Sequence, residues 1–119
     1  MTQSLEDYLE MISFLADEGA VRVTDIALRL GVSKPSVLSA LKNLEEKGFI
    51  VHEHYGNVRL TDAGIQRANL IRGRHHDLTN FLVQALGVKD EIAEKDACQM
   101  EHFLSAETLS AMKAFLSKR

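Results

Sequence analysis

The sequence contains one cysteine, one proline and no apolar run near the roughly 18 residues that would span a bilayer. Because a lone cysteine cannot form a disulfide within the chain, Cys98 is either a core thiol or a metal ligand. The single proline and the lack of a Gly/Ser/Pro-rich linker predict elements joined by short loops. Residues 1–10 are polar and acidic, unlike a secretory leader. These features predict a cytoplasmic protein that does not enter a membrane.

The charge balance is slightly acidic, with 14 Lys+Arg against 17 Asp+Glu and a formal net charge of −3. This balance argues against a protein that coats nucleic acid through charge alone. The 119 residues suit one compact domain or two small units sharing a helix. Hydrophobic residues at 45% and charged residues at 26% are ordinary globular values, which exclude disordered, collagen-like and coiled-coil chains.

Apolar periodicity and capping residues predict a mainly α chain with six helices and one small β-hairpin. The first helix begins at Ser4, ends at Asp17–Gly19 and has an apolar face of Leu5, Leu9, Ile12 and Phe14–Ala16. The remaining helices are Thr24–Leu30, Ser33–Lys47, Thr61–Leu86, Lys89–Phe103 and one that begins at Ser105. Their predicted caps are Thr24, Ser33, Thr61 and Ser105, and Gly31 and Gly87 are predicted to lie just past a helix end. Val21–Val23 is a short extended piece. The hairpin pairs Phe49–His54 with Val58–Leu60 through a turn at Tyr55–Asn57.

Two short helices separated by Gly31–Ser33 and followed by a hairpin have the order of a winged helix-turn-helix. The second helix of such a pair enters the major groove of DNA. Its first turn and outward face are predicted to be Ser33, Lys34, Pro35, Ser36, Ser39, Ala40 and Lys42. Between Val32 and Leu44 there are two lysines and no acid, so the face is locally basic in an acidic chain. No Arg, Asn or Gln lies at the exposed start of this helix. We therefore expect the protein to distinguish DNA sequences through DNA shape and through the pairing of two half-sites.

A second constellation consists of metal-ligating residue types on three predicted helices. Glu94, Cys98, Glu101 and His102 share one stripe of the fifth helix, beside an apolar stripe of Ala93, Ala97, Met100 and Leu104. The first helix adds Asp7 and Glu10, three residues apart, and the long fourth helix adds His75 and His76. Taken singly, each of these residues is ordinary, since Cys98 suits a core and Glu101 suits a solvated surface. Their convergence depends on how the three helices pack.

Two other functional classes compete with a metal-responsive DNA-binding protein. A winged helix controlled by an organic ligand or a partner protein would keep the basic helix face and make the acidic, His and Cys residues incidental. A zinc hydrolase would need three fixed ligands, an open position and a nearby base, and the sequence has no His-Glu-x-x-His spacing. The sequence therefore disfavours an enzyme.

The segments Leu5–Glu10, Val23–Gly48 and Asp96–His102 resemble the DtxR/MntR family of metal-dependent iron and manganese repressors. The resemblance covers nearly the whole chain, and its specific part is Cys-x-x-Glu-His combined with the N-terminal Glu-Asp-Tyr-Leu-Glu. It implies a winged helix-turn-helix DNA-binding domain over residues 1–60 and a helical metal-binding and dimerisation domain over residues 61–119. It also implies a homodimer that represses transcription from double-stranded operator DNA.

The resemblance implies a set of metal ligands, which are Asp7, Glu10, His75, Cys98, Glu101 and His102. His75 is preferred to His76 because Arg74-His75 followed by Phe81-Leu82 resembles the family pattern. Thr79 stands where many members have an acidic residue, and whether Glu94 or His76 is also a ligand stays open. Because carboxylates and imidazoles outnumber the single thiolate, we expect manganese(II) or iron(II). The sixth helix carries Leu109, Met112, Phe115 and Leu116, which predicts a two-fold dimer through the C-terminal helices.

Overall fold

The computed structural model describes residues 1–53 and 56–118, which divide into a unit from Met1 to Asn69 and a unit from Leu70 onward. The described residues form six helices and three short strands. In chain order these are α1 (Gln3–Glu18), β1 (Val21–Arg22), α2 (Val23–Leu30), α3 (Lys34–Glu46), β2 (Ile50–His52), β3 (Asn57–Leu60), α4 (Asp62–Leu86), α5 (Asp90–Met100) and α6 (Ala106–Ser117). The mainly α fold class with an N-terminal winged helix is confirmed.

In the first unit, α1, α2 and α3 contact one another and the sheet. Their apolar faces are buried, at Leu9, Ile12, Leu15, Ile26, Val37, Leu41 and Leu44, together with Val21, Ile50 and Val58 of the strands. The turn between α2 and α3 depends on Gly31, which adopts the left-handed region at φ 67° and donates its N–H to the carbonyl of Ala27. Ser33 then caps α3 as predicted, accepting the N–H of Ser36 at 3.2 Å.

The wing is a three-stranded antiparallel sheet in the order β1-β3-β2, where the sequence predicted a two-stranded hairpin. The additional strand is β1, whose Val21 and Arg22 pair with Val58 and Asn57. The sequence predicted an extended piece at Val21–Val23 but not its pairing with β3, because two residues leave no periodicity that selects a partner strand. His54 and Tyr55, which the sequence placed at the end of the first strand and in the turn, lie outside the described residues.

Three local predictions in the first unit are wrong. Helix α1 begins at Gln3 and is capped by Thr2, which accepts the N–H of Leu5 at 3.2 Å, and Ser4 lies inside the helix. Helix α2 begins at Val23 with Arg22 at the cap position, two residues before the predicted cap Thr24. Phe14 is 41% exposed, because it lies about 200° around the helix from the buried Ile12. The neighbouring Ala16 is also exposed.

The junction between the sheet and α4 is fixed by Thr61, the predicted cap. Its Oγ1 accepts the N–H of Gly64 at 3.0 Å and its hydroxyl donates to the carbonyl of Gly48 at 2.6 Å. The backbone N–H of Thr61 donates to the carbonyl of Phe49 at 3.0 Å. A Cβ on Gly64 would lie 1.9 Å from the same Phe49 oxygen. Position 64 therefore excludes every side chain.

The second unit packs the later part of α4 against α5 and α6. Its buried cluster is Leu78, Leu82, Ala93 and Ala97, with Val83, Val88, Met100, Leu104, Leu109 and Met112 packed against it. This arrangement confirms the apolar stripe predicted on the fifth helix. Helix α4 ends at Leu86, and Gly87 follows it in the left-handed region. The N–H groups of Gly87 and Val88 donate to the carbonyls of Val83 and Leu82. Phe81 and Phe115 make an edge contact with ring centroids 6.0 Å apart.

Candidate metal centre and nucleic-acid interface

The metal ligands predicted for the second unit lie around the C-terminal end of α5. The sequence predicted this helix to continue to Phe103, with Glu94, Cys98, Glu101 and His102 on one stripe. The helix ends at Met100, so Glu101 and His102 belong to the turn that follows. In that turn the backbone N–H groups of His102 and Phe103 donate to carbonyls three residues earlier, those of Gln99 at 3.4 Å and Met100 at 3.0 Å. The stripe is therefore a helix face continued by a turn.

Three of the predicted ligands lie together in this unit, namely His75 on α4, Cys98 on α5 and Glu101 after α5. Each offers one ligand atom, and these atoms all lie within 4.8 Å of one another. The Glu101 side chain is fully buried, at 0% exposure. Its Oε2 lies 3.2 Å from Nδ1 of His75. An imidazole, a thiol and a carboxylate thus converge on one small volume.

The donor set fits a divalent cation. Nδ1 of His75 is a buried atom that makes no hydrogen bond within the part of the chain that the structure describes. Leaving a buried polar atom without a hydrogen bond is costly, whereas coordination of a cation would use its lone pair. The neighbouring thiol and carboxylate supply one soft and one hard donor, a mixture that accommodates first-row transition metals. His75, Cys98 and Glu101 could therefore hold one metal ion.

The other histidines and acids of this region make distinct contacts. Nε2 of His102 lies 3.4 Å from Oε1 of Glu101, and the His102 side chain is 1% exposed. His76 contacts its own helix, where its Nε2 lies 3.1 Å from Nδ2 of Asn80. The Thr79 hydroxyl donates to the carbonyl of His75 at 2.9 Å. Glu94 contacts the outer nitrogen of His75, Nε2, at 3.0 Å.

The two remaining predicted ligands, Asp7 and Glu10, lie on α1 in the first unit. Their spacing of three residues places them on one side of the helix. Glu10 is 8% exposed, although it is a charged residue, and Asp7 is partly buried. Buried carboxylates are uncommon in proteins unless they are paired or bind a cation. Their membership of a metal site remains a prediction from the sequence.

The predicted DNA-docking residues lie on α3 and the residue that caps it. Ser33, Lys34, Pro35, Ser36, Ser39 and Lys42 are all exposed. Ala40, which the sequence also assigned to this outward face, is 6% exposed and belongs to the core. The reason is its spacing, since it lies three residues after the buried Val37 and one before the buried Leu41. The Ser33 and Ser36 hydroxyls are 2.9 Å apart, which ties the first turn to its cap.

A groove of about 570 Å³ runs beside this face in the first unit. The start of α1 contributes Thr2, Ser4, Leu5 and Tyr8, and the other wall is formed by Val32, Ser36, Ser39, Ala40 and Asn43. Sequence reasoning looked for Arg, Asn or Gln only at the exposed start of the helix and so missed Asn43, whose exposed amide follows Ser36 and Ser39 at helical spacing. That spacing was the available signal, because residues three, four and seven apart share a helix face.

The two parts of the chain each match a known family model. Residues 1–58 match the family model described as the iron dependent repressor, N-terminal DNA binding domain. Residues 61–119 match the iron dependent repressor, metal binding and dimerisation domain. The chain belongs to the iron-dependent repressor family. The predicted resemblance to DtxR/MntR repressors is thereby confirmed.

Individual relatives agree with this assignment. The chain is 47% identical to the transcriptional regulator MntR of Salmonella typhimurium over 112 residues, which cover 93% of this chain and 71% of that protein. It is 36% identical to an uncharacterised HTH-type transcriptional regulator of Methanocaldococcus jannaschii, covering 99% and 96% of the two chains. Among solved structures, a manganese-dependent transcriptional repressor in complex with manganese matches with TM-score 0.85 and 32% identity. That match covers 95% of this chain and 52% of the other, so this chain spans about half its length.

Within residues 1–53 and 56–118, none of the helices combines the length and the apolar character required to cross a bilayer.

Proposed function

We propose that this chain is a metal-activated transcriptional repressor that binds double-stranded operator DNA as a homodimer and catalyses no reaction. The observation that carries the proposal is the convergence of His75, Cys98 and Glu101 within 4.8 Å, in the part of the chain that matches a metal-binding and dimerisation domain. Residues 1–60 dock on DNA, and residues 61–119 bind metal and form the dimer. The signal to which the repressor responds is manganese(II) or iron(II), so its targets concern metal homeostasis.

The proposed ligands are His75, Cys98, Glu101 and His102, together with Asp7 and Glu10. The first three are supported by their mutual distances, and His102 is supported by its contact with Glu101. Asp7 and Glu10 are supported by the sequence resemblance and by the burial of Glu10. Because hard oxygen and imidazole donors exceed the single thiolate, manganese(II) or iron(II) suits the set. The bound ion supplies positive charge among several carboxylates, which lowers their mutual repulsion.

DNA docking uses the exposed face of α3 in a major groove. Lys34 and Lys42 contact phosphates and set affinity, while Ser33, Pro35, Ser36 and Ser39 approach the groove closely because their side chains are small. Asn43 adds an amide, which can bond an adenine edge through two hydrogen bonds. Because the ligands come from α1 as well as from residues near α5, metal binding and DNA binding are expected to be coupled. Ordinary coupling energies of about 1 to 3 kcal/mol correspond to roughly 5- to 150-fold in affinity.

The deciding experiment measures DNA binding with and without metal. A pool of random DNA duplexes is selected on the protein with manganese(II), and a recovered duplex is titrated at fixed salt with manganese(II), iron(II), zinc(II), cobalt(II) or a chelator. We expect manganese(II) or iron(II) to tighten binding by about 5- to 150-fold over the chelator. Equal affinity in all conditions would contradict metal activation and favour a winged helix controlled by an organic ligand or a partner protein.

A second measurement tests assembly. Sedimentation of the metal-loaded protein at micromolar concentration should give a dimer, because α6 leaves Phe115 54% exposed on an element of the dimerisation domain. A monomer under those conditions would contradict the proposed two-fold interface.

A further inference from the structure

We propose that Glu94 is a positioning residue for the metal site, and that it acts by orienting His75. Its carboxylate accepts a hydrogen bond from Nε2–H of the imidazole, and this leaves the lone pair on Nδ1 for the ion. The inference deepens the proposed metal site and rests on it. It also assigns Glu94 a role other than that of a metal ligand, whereas the sequence left open whether Glu94 binds the metal.

The two ring nitrogens of His75 face different carboxylates. Nε2 lies 3.0 Å from Oε2 of Glu94, and Nδ1 lies 3.2 Å from Oε2 of Glu101. A neutral imidazole carries one N–H, so it can donate to only one of these acids. The metal ligand must be the nitrogen that has no proton. The surroundings of the two nitrogens therefore decide which one binds the ion.

Nδ1 is the nitrogen on the metal side. It is buried, it faces the fully buried Glu101, and Cys98 completes the same small cluster. Nε2 faces Glu94, whose side chain is 64% exposed. Because the two nitrogens of an imidazole point in different directions, only one of them can coordinate a given ion. A carboxylate at Nε2 is then an outer partner, as in other carboxylate–histidine–metal arrangements.

The backbone around Glu94 is held in place by packing. Its neighbour Ala93 and the next-turn Ala97 are both fully buried and pack against Leu78 of α4, one turn from His75. The contact between Glu94 and His75 is therefore set by the two packed helices, although the carboxylate itself faces solvent. An exposed carboxylate stabilises its hydrogen-bond partner less than a buried one does. We therefore expect the loss of metal affinity to lie near the lower end of the roughly 10- to 100-fold range for residues that orient a metal ligand.

The test uses zinc(II) and cobalt(II) as probes on the full-length chain. Glu94→Ala should weaken zinc(II) binding about tenfold, and Glu94→Gln, which keeps an oxygen acceptor, should recover part of that loss. Glu91→Gln is the matched control, because it removes an exposed acid from the same helix one turn earlier. It should leave zinc(II) affinity unchanged.

Two spectroscopic measurements distinguish orientation from ligation. Nitrogen-15 NMR of the zinc-loaded wild type should show His75 bound through Nδ1 and protonated at Nε2. The visible bands of the cobalt(II) complex should be the same in Glu94→Ala and the wild type, because the ligand set is unchanged. Coordination through Nε2, altered cobalt bands, or equal zinc affinity in Glu94→Ala would overturn this inference alone. A wild type that binds neither ion would overturn the metal site itself and this inference with it.

Discussion

Replacing Glu101 with glutamine removes one charged oxygen donor from the proposed metal site while keeping the size of the side chain. Glu101 is fully buried and lies in the cluster with His75 and Cys98. Loss of an outer partner of a ligand costs 10- to 100-fold in metal affinity, so loss of a buried ligand should cost about 100-fold or more. The expected consequence is a loss of metal-dependent thermal stability.

The magnitude follows from linkage between binding and folding. A metal concentration of about 100 times the wild-type Kd stabilises the wild type by roughly 2.7 kcal/mol. If Glu101→Gln raises Kd about 100-fold, the same metal concentration stabilises the variant by only about 0.4 kcal/mol. With an unfolding entropy of roughly 2.1 cal/mol/K per residue, a chain of this length should gain about 11 °C in the wild type and under about 2 °C in the variant.

Calorimetry with manganese(II) and then with a chelator measures the shift in Tm within each protein, so a change in the stability of the metal-free form does not enter the comparison. Glu107→Gln is the control, because it removes an exposed acid from α6 in the same unit. It should keep the full shift. A Glu101→Gln protein that gains as much as the wild type would refute the assignment of Glu101 as a ligand.

Five further substitutions test the DNA-docking face, the close approach at Gly64 and the role of Cys98. Lys34→Ala and Lys42→Ala should each weaken binding to every duplex and lower the slope of log affinity against log salt by about 1, and unchanged slopes in titrations would place the docking face elsewhere. Gly64→Ala should destabilise the chain by about 4 kcal/mol or more in urea unfolding, because the new Cβ meets the Phe49 oxygen at 1.9 Å. Gly73→Ala, which has open space around the new Cβ, should instead stabilise α4 by about 0.5 to 1 kcal/mol, and equal effects at both positions would contradict the close approach. Cys98→Glu should preserve the response to manganese(II) and weaken binding of softer ions in calorimetric titrations, whereas an unchanged preference would exclude Cys98 from the site.

Elements marked by a local chemical signal were predictable from the sequence. Ser33, Thr61 and Ser105 were predicted as helix caps, and each accepts a backbone N–H of the following helix. Gly31 and Gly87, predicted to lie just past a helix end, both have positive φ. These signals act over three or four residues, so they do not depend on the rest of the fold.

Elements defined by distant partners were not predictable in the same way. Strand β1 lies in the piece predicted to be extended, but its pairing with β3, which makes it part of the sheet, was not predicted. The end of α5 at Met100 was missed because Glu101, His102 and Phe103 continue a pattern that is compatible with a helix. The sequence therefore indicated the order of the helices more reliably than the backbone geometry at their ends.

The choice between His75 and His76 shows what the fold adds to a list of candidate ligands. Adjacent positions on a helix are about 100° apart, so only one of two neighbouring histidines can face a given partner helix. His75 faces α5, where it contacts Glu94, and it also contacts Glu101. His76 contacts Asn80 along its own helix. The sequence supplied two imidazoles and two acids, but the roles of His75 and Glu94 depend on which nitrogen each acid approaches, and that is set by the packing of α4 on α5.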